Sequence, residues 1–215
     1  MAVEVRGERA ADLDEVLAVI GRAFGDEGPT VAAIWREITA TDERSEGFVA
    51  IDGESIVGHV GLSRGWLDAR RALVDITVLS PLSVEPDRQR QGIGTALLAA
   101  ASGAALRRTP VVVLEGDPAY YSARGFAPAG DVGITPASDR IPPPACQVMT
   151  GAAFEPWMAG RVIYPDVWWR HDATGLRDPQ LAEIERALAD PSVISADPSV
   201  NHADPSVNSV DRADY

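Results

Sequence analysis

From Asp12 to Phe24 the apolar residues Leu13, Val16, Leu17, Ile20 and Phe24 recur three or four positions apart. That spacing puts them on one face of a helix. Asp12 is the expected N-cap, with Glu15 three residues on as its capping-box partner. Thr30 to Thr39 repeats the period through Val31, Ile34, Trp35 and Ile38, and Gly25 to Pro29 breaks the two helices apart. Short β-type runs are predicted at Val3 to Arg6, Gly47 to Ile51 and Ser55 to Ser63, with Asp52-Gly53 as a hairpin turn. A longer β-branched run covers Arg71 to Val84. Pro81 lies inside it and forgoes a ladder hydrogen bond, so it marks a bulge or an edge. An Ala/Leu-rich helix is expected over Gly94 to Arg107 and a buried strand over Val111 to Leu114. Asp117-Pro118 then opens a short helix by N-cap and first-turn proline. Gln147 to Met149 and Arg161 to Tyr164 read as further strands, and Pro179 to Ala189 as a terminal helix.

The order is β-α-α-β-β-β-α-β-α-β-β, with hairpin strands in the middle. It predicts a mixed α/β fold, a central mixed sheet flanked by helices rather than a fully parallel one. Residues 1–189 form the expected folded domain. Residues 190–215 differ: DPSV starts at 190, 197 and 204, and the segment holds five Asp against one Arg. A proline every seven residues rules out a heptad helix, so the segment is expected to be a disordered acidic tail.

Composition narrows the function. The 215 residues carry 32 acids against 19 bases, a net charge of −13, which disfavours a nucleic-acid binder. Every base is Arg. Schiff-base chemistry and the lysine-dependent phosphate loop are therefore excluded. One cysteine, Cys146, gives neither a disulfide framework nor a Cys-based zinc site, and the three His lie far apart, so no metal is expected. No apolar run is long enough to span a membrane, and the charged start of the chain lacks a leader's apolar core. With the lone thiol, these features point to the cytoplasm.

The chemistry concentrates in Leu82-Ser83-Val84-Glu85-Pro86-Asp87-Arg88-Gln89-Arg90-Gln91-Gly92-Ile93-Gly94-Thr95, where a strand enters a polar turn and a helix begins. The first N–H groups of that helix have no intrahelical partner and sit at the positive end of its dipole. Gly92 and Gly94 allow close backbone approach, which makes a cradle for phosphate or pyrophosphate. Arg88 and Arg90 could reach further anionic oxygens. The dinucleotide fingerprint fails because Leu97 occupies its third glycine position. The pattern Q/R-x-x-G-x-G/A is met by Gln89, Gly92 and Gly94.

Here the sequence resembles the GNAT superfamily of acyl-CoA-dependent N-acetyltransferases, in a branch of predicted acetyltransferases. SPLSVEPDRQRQGIGTALL is similar to its central strand, pyrophosphate loop and helix; EGDPAYYSARGFAPA is similar to its next strand and helix, ending in Y-x-x-x-G-F from Tyr121 to Phe126. The resemblance implies a twisted mixed sheet whose bulged central strand splays from its neighbour, with acetyl-CoA as cosubstrate and no metal. It assigns Leu82, Ser83 and Val84 to the pantetheine arm. Gln89, Arg90, Gln91, Gly92, Ile93, Gly94 and Thr95 form the pyrophosphate cradle, and Tyr121 is the acid that protonates the leaving thiolate. Tyr120 is the weaker candidate, being five residues from Gly125 rather than four.

The implied activity is acetyl transfer to a primary amine of a small molecule or peptide. The alternative is a non-catalytic acyl-CoA-binding or sensor domain. Acidity favours a cationic acceptor. No general base is assigned among Asp75, His59 and Glu27, each better explained structurally. Arg107 and Arg108 read as helix C-terminal charges, and His171 and Cys146 take no role. Trp157, Trp168 and Trp169 form either a core cluster, the favoured reading, or a homodimer contact.

Overall fold

A computed structural model describes residues 3–42, 44–175 and Arg186. The chain divides into two compact units, Met1–Leu181 and Ala182–Tyr215. The described residues other than Arg186 lie in the first. The helix expected over 179–189 and the DPSV segment fall outside the described residues, Arg186 excepted.

In chain order the elements are β1 (Glu4–Gly7), α1 (Leu13–Ala23), α2 (Gly28–Thr41), β2 (Glu46–Asp52), β3 (Ser55–Ala69), β4 (Leu73–Val84), α3 (Ile93–Ala105), β5 (Val111–Glu115), α4 (Pro118–Ser122), β6 (Ala127–Pro128), β7 (Ile134–Thr135), β8 (Cys146–Thr150), β9 (Gly160–Ile163) and α5 (Asp166–Arg170). The strands form one sheet ordered β1-β2-β3-β4-β5-β8-β6, and β9 joins β3 to β7. Pairing is antiparallel except between β4 and β5 and between β7 and β9. The expected mixed sheet with flanking helices is the fold.

Helices cover both faces. Val16, Ile20, Ile34, Trp35 and Ile38 of α1 and α2 pack on Val49, Ile76, Val78, Val111 and Val113. On the other face Leu97 and Leu98 of α3 meet Leu62, Leu79, Val112 and Leu114. β5 therefore buries alternate residues on opposite faces, which explains its unbroken apolar run. Burying each large side chain contributes about 1.5–3 kcal/mol, so these two layers dominate the fold's stability.

Pro81 resolves to a bulge. Val60 pairs with Leu82 but Leu62 with Leu79, so Gly61 alone faces Ser80 and Pro81, whose peptide bond is cis. β4 lies between β3 and β5 and is not an edge.

Two local expectations are corrected. Asp12 does not cap α1. Its carboxylate accepts the Arg9 N–H at 2.7 Å and Arg6 Nη1 at 2.6 Å, closing a 3₁₀ turn at Ala10–Asp12. Glu15 is not a capping partner either; its Oε1 accepts the Ile56 N–H at 2.8 Å and ties α1 to β3.

Candidate functional site

β4 and β5 pair at Thr77–Val112 and Val78–Val113, and beyond these registers they part. On its other side β4 continues its ladder with β3, matching Leu82 to Val60, Ser83 to His59 and Val84 to Gly58. One backbone edge of Leu79–Val84 thus faces the gap. Leu82 and Val84 pack toward α3. Ser83 is buried on the opposite face, so only its backbone is offered to the gap.

The turn after β4 is braced by its own polar side chains. Arg22 of α1 donates to Glu85 through Nε at 3.0 Å. Arg88 is paired with Asp52, which holds that carboxyl below its usual range and removes Arg88 from the expected anion contacts. Gln89 Nε2 donates to the Val84 carbonyl at 3.2 Å, and Gln91 Nε2 to the Asp87 carbonyl at 3.2 Å. These side chains shape the loop. The side chain of Arg90 is exposed.

Gly92 is the N-cap residue of α3 at φ +85°, and Arg90 has φ +60°. Two left-handed residues around Gln91 turn the chain so that the α3 N-terminus opens outward. Glycine adopts this conformation without steric penalty, whereas a β-branched residue would not. Ile93 is buried in the α3-side core, so it offers its N–H alone. Gly94 admits Tyr120, whose Oη stands 2.7 Å from where a β-carbon would be. Thr95 is exposed on the first turn of α3.

α4 begins as expected: the Asp117 side chain accepts the Ala119 N–H at 2.9 Å. Its two tyrosines diverge. Tyr120 reaches the α3 N-terminus. Tyr121 is half-buried at the end of β5, over Gly116, with edge contacts to Tyr120 at 5.0 Å and Phe126 at 5.8 Å between ring centroids. Arg124 was not singled out in the sequence. Its Nε donates to Thr95 Oγ1 at 2.9 Å, its Nη1 to the Tyr120 carbonyl at 2.5 Å, and its guanidinium stacks 3.6 Å from the Tyr120 ring centroid. The signal available was its place four residues after Tyr120, one helical turn on.

The remaining candidates are structural. Asp75 binds Arg64 and Arg44, which depress its pKa, and it lies far along β4 from the gap. His59 is fully buried, its Nε2 3.0 Å from Glu8 Oε2 and its ring 4.9 Å from Trp35. Burial lowers its pKa, against the opposing pull of Glu8. Glu27 lies half-buried in the 3₁₀ turn between α1 and α2. Arg107 donates to the Gly103 carbonyl at 2.9 Å, as a helix C-terminal charge does. Arg108 instead pairs with Glu46 at 2.5 Å. Trp168 is buried and Trp157 packs against the same core, whereas Trp169 is exposed. Cys146 is buried in that core, and His171 pairs with Glu37 at 3.0 Å. No cluster of three metal-ligating side chains and no helix apolar enough to cross a membrane occurs among the described residues.

A strand pair that opens beyond a bulge, with a glycine-turned helix N-terminus at its rim, is a particular arrangement. The family model described as the acetyltransferase (GNAT) domain matches residues 43–128. The chain shares the fold of the GNAT acetyltransferases. The GNAT family N-acetyltransferase YhbS of Escherichia coli, solved in complex with CoA, superposes with a TM-score of 0.68 at 22% identity, covering 79% of this chain and 93% of that one. A GNAT family acetyltransferase from Brucella melitensis, solved with acetyl-CoA, gives 0.62 at 23% identity, covering 77% and 97%. No curated protein matches by sequence.

Proposed function

We propose that this GNAT chain moves an acetyl group from acetyl-CoA to a primary amine of a small molecule or peptide by direct attack. The observation that carries the reading is the cradle itself: Gly92 turning the α3 N-terminus outward beside the gap between β4 and β5. Helix N-termini of this kind favour pyrophosphate. The CoA and acetyl-CoA held by the two solved relatives support the same cosubstrate.

The backbone edge of Leu82, Ser83 and Val84 takes the pantetheine amides. The N–H groups from Arg90 to Thr95 take the pyrophosphate, with Gln89 shaping the loop and Arg124 adding a fixed positive charge at Thr95. The free amine nitrogen attacks the thioester carbonyl, the carbon–sulfur bond breaks, Tyr121 gives its phenolic proton to the departing thiolate, and the proton shed by the nitrogen restores the phenol. The buried single cysteine suits the reducing cytoplasm.

Acetyl-CoA incubated with a panel of amines, with thiol release and acetylated product both followed, tests the reading. Product formation on at least one amine is expected. Tight acetyl-CoA binding with no transfer to any amine favours the non-catalytic acyl-CoA-binding alternative. Absence of acetyl-CoA binding ends both.

A further inference from the structure

β5 ends at Glu115. Val113 is the last β5 residue paired with β4, opposite Val78. Two residues farther, Glu115 is level with Ser80, where the bulge begins and the strands have parted. Strand alternation puts Glu115 on the face of Val111 and Val113. On that face it meets Cys146, its register partner on β8, and Tyr164, which follows β9 and hydrogen-bonds to it. The next residue, Gly116, lies under Tyr121, whose ring edge is 2.2 Å from where a β-carbon on Gly116 would stand. A carboxylate and the candidate acid therefore both stand at the end of β5, Glu115 on the α1–α2 face and Tyr121 on the α3 face of the sheet.

We propose that Glu115 is the general base and anchor for the acceptor amine: its carboxylate docks the ammonium group, takes its proton, and leaves the free amine facing the thioester. This rests on the acetyl-transfer reading above. The ammonium gives one proton to Glu115, the free amine attacks, the N–C bond forms as C–S breaks, Tyr121 protonates the sulfur, and the second proton leaving the nitrogen restores the Tyr121 phenol.

The surroundings suit the role. Burial pushes the Cys146 thiol up to about 12, with the charge of Glu115 adding to it, so Cys146 stays protonated. Burial likewise raises Tyr164, and its hydrogen bond to Glu115 raises it further. Neither neighbour competes for the amine's proton at neutral pH. The Tyr164 hydroxyl donates to the carboxylate and fixes its position, as a positioning residue.

The test uses the whole chain, an alkylamine acceptor, and an aromatic amine that is already unprotonated at neutral pH. Glu115→Gln should leave acetyl-CoA binding intact and lower kcat/KM for the alkylamine by about 10²-fold or more. The aromatic amine should lose far less. Raising pH should restore the alkylamine rate as the amine sheds its own proton. Equal losses for both amines, or no loss, overturn the assignment. Tyr164→Phe gives a second readout: losing a hydrogen bond to the charged carboxylate raises its pKa, so the acid limb of kcat/KM should move to higher pH. An unmoved limb overturns the assignment even if Glu115→Gln does not fold. A wild-type chain that binds acetyl-CoA but acetylates no amine sinks the transfer reading and the base with it. Transfer at full rate in Glu115→Gln sinks only the base.

Discussion

The ring of Tyr121 fills the space above Gly116 that any other residue would need for its β-carbon. Tyr120, its neighbour, turns instead to Gly94 and lies under Arg124. One tyrosine is thereby assigned to the end of β5 and the other to the N-terminus of α3, a distinction that two adjacent letters cannot express.

The first prediction follows from that division. Tyr121→Phe keeps the ring over Gly116 and should leave the melting temperature nearly unchanged. In the proposed reaction its hydroxyl serves a charge that develops only as the thiolate departs, so kcat should fall by about 10²–10⁴-fold. The acetyl-CoA Kd, from titration calorimetry, should hold. Tyr120→Phe should retain kcat. The reverse pattern between the two variants would transfer the acid role to Tyr120.

Gly92 is required by conformation rather than by crowding, since nothing lies within 4 Å of where its β-carbon would be. Gly92→Val places a β-branched residue at φ +85° and should cost about 1–2 kcal/mol or force the loop to rearrange. Either way the N–H groups lose their aim. Acetyl-CoA should stabilise the wild type by linkage and give no thermal shift in this variant. Gly92→Asn, tolerated in the left-handed region, should keep most of the shift. Normal CoA binding by Gly92→Val would remove the cradle from the mechanism.

Arg124 should matter for binding and not for folding. Its hydrogen bonds go to the neutral Thr95 hydroxyl and Tyr120 carbonyl, so its charge remains available to a phosphate. A charge-assisted hydrogen bond is worth about 1.5–3 kcal/mol. Arg124→Ala should therefore weaken acetyl-CoA by about 10–100-fold, and binding should become less sensitive to salt. An unchanged Kd would show that Arg124 only clamps α4 to α3.

Much of this geometry was legible in the sequence, for reasons that also explain the gaps. The α1 and α2 helices, the Asp52-Gly53 hairpin, the Pro81 bulge and the Asp117 cap rest on local signals: periodicity, turn chemistry, a missing donor. β3 runs past the expected end at Ser63 to reach Ala69. In the fold Arg64 is held within the strand by Asp75 across the ladder, at 2.6 Å. β6 and β7, two residues each, are too short for any period to register. Glu15 looked like a cap because its spacing fits one, yet a distant backbone N–H at Ile56 claims it. Arg88 looked like an anion ligand until the fold brought Asp52 beside it. Arg124 and Glu115 gained meaning only when α4 was laid against α3 and β5 was set in register with the bulge. Those are tertiary facts.

The last prediction concerns pH. His59 is fully buried beside Trp35 and Glu8, and burial lowers its pKa from the ordinary value of 6.5. Between that value and the lower folded one, the unfolded chain binds a proton that the folded chain does not, so unfolding gains as pH falls. The contribution of His59 is complete above about pH 6.5 and is lost progressively below it. Asp12, Asp52 and Asp75, all depressed by arginine partners, add their own losses only nearer their ordinary value of 3.8. Urea midpoints measured from pH 8 to pH 5 should thus decline for the wild type before the losses from Asp12, Asp52 and Asp75 set in. His59→Gln cannot gain the proton, so its midpoint should start lower, with Glu8 left poorly paired, and should lack the wild type's His59-linked decline over that window. A wild type and variant with parallel slopes would mean that His59 does not titrate differently in the folded and unfolded chains.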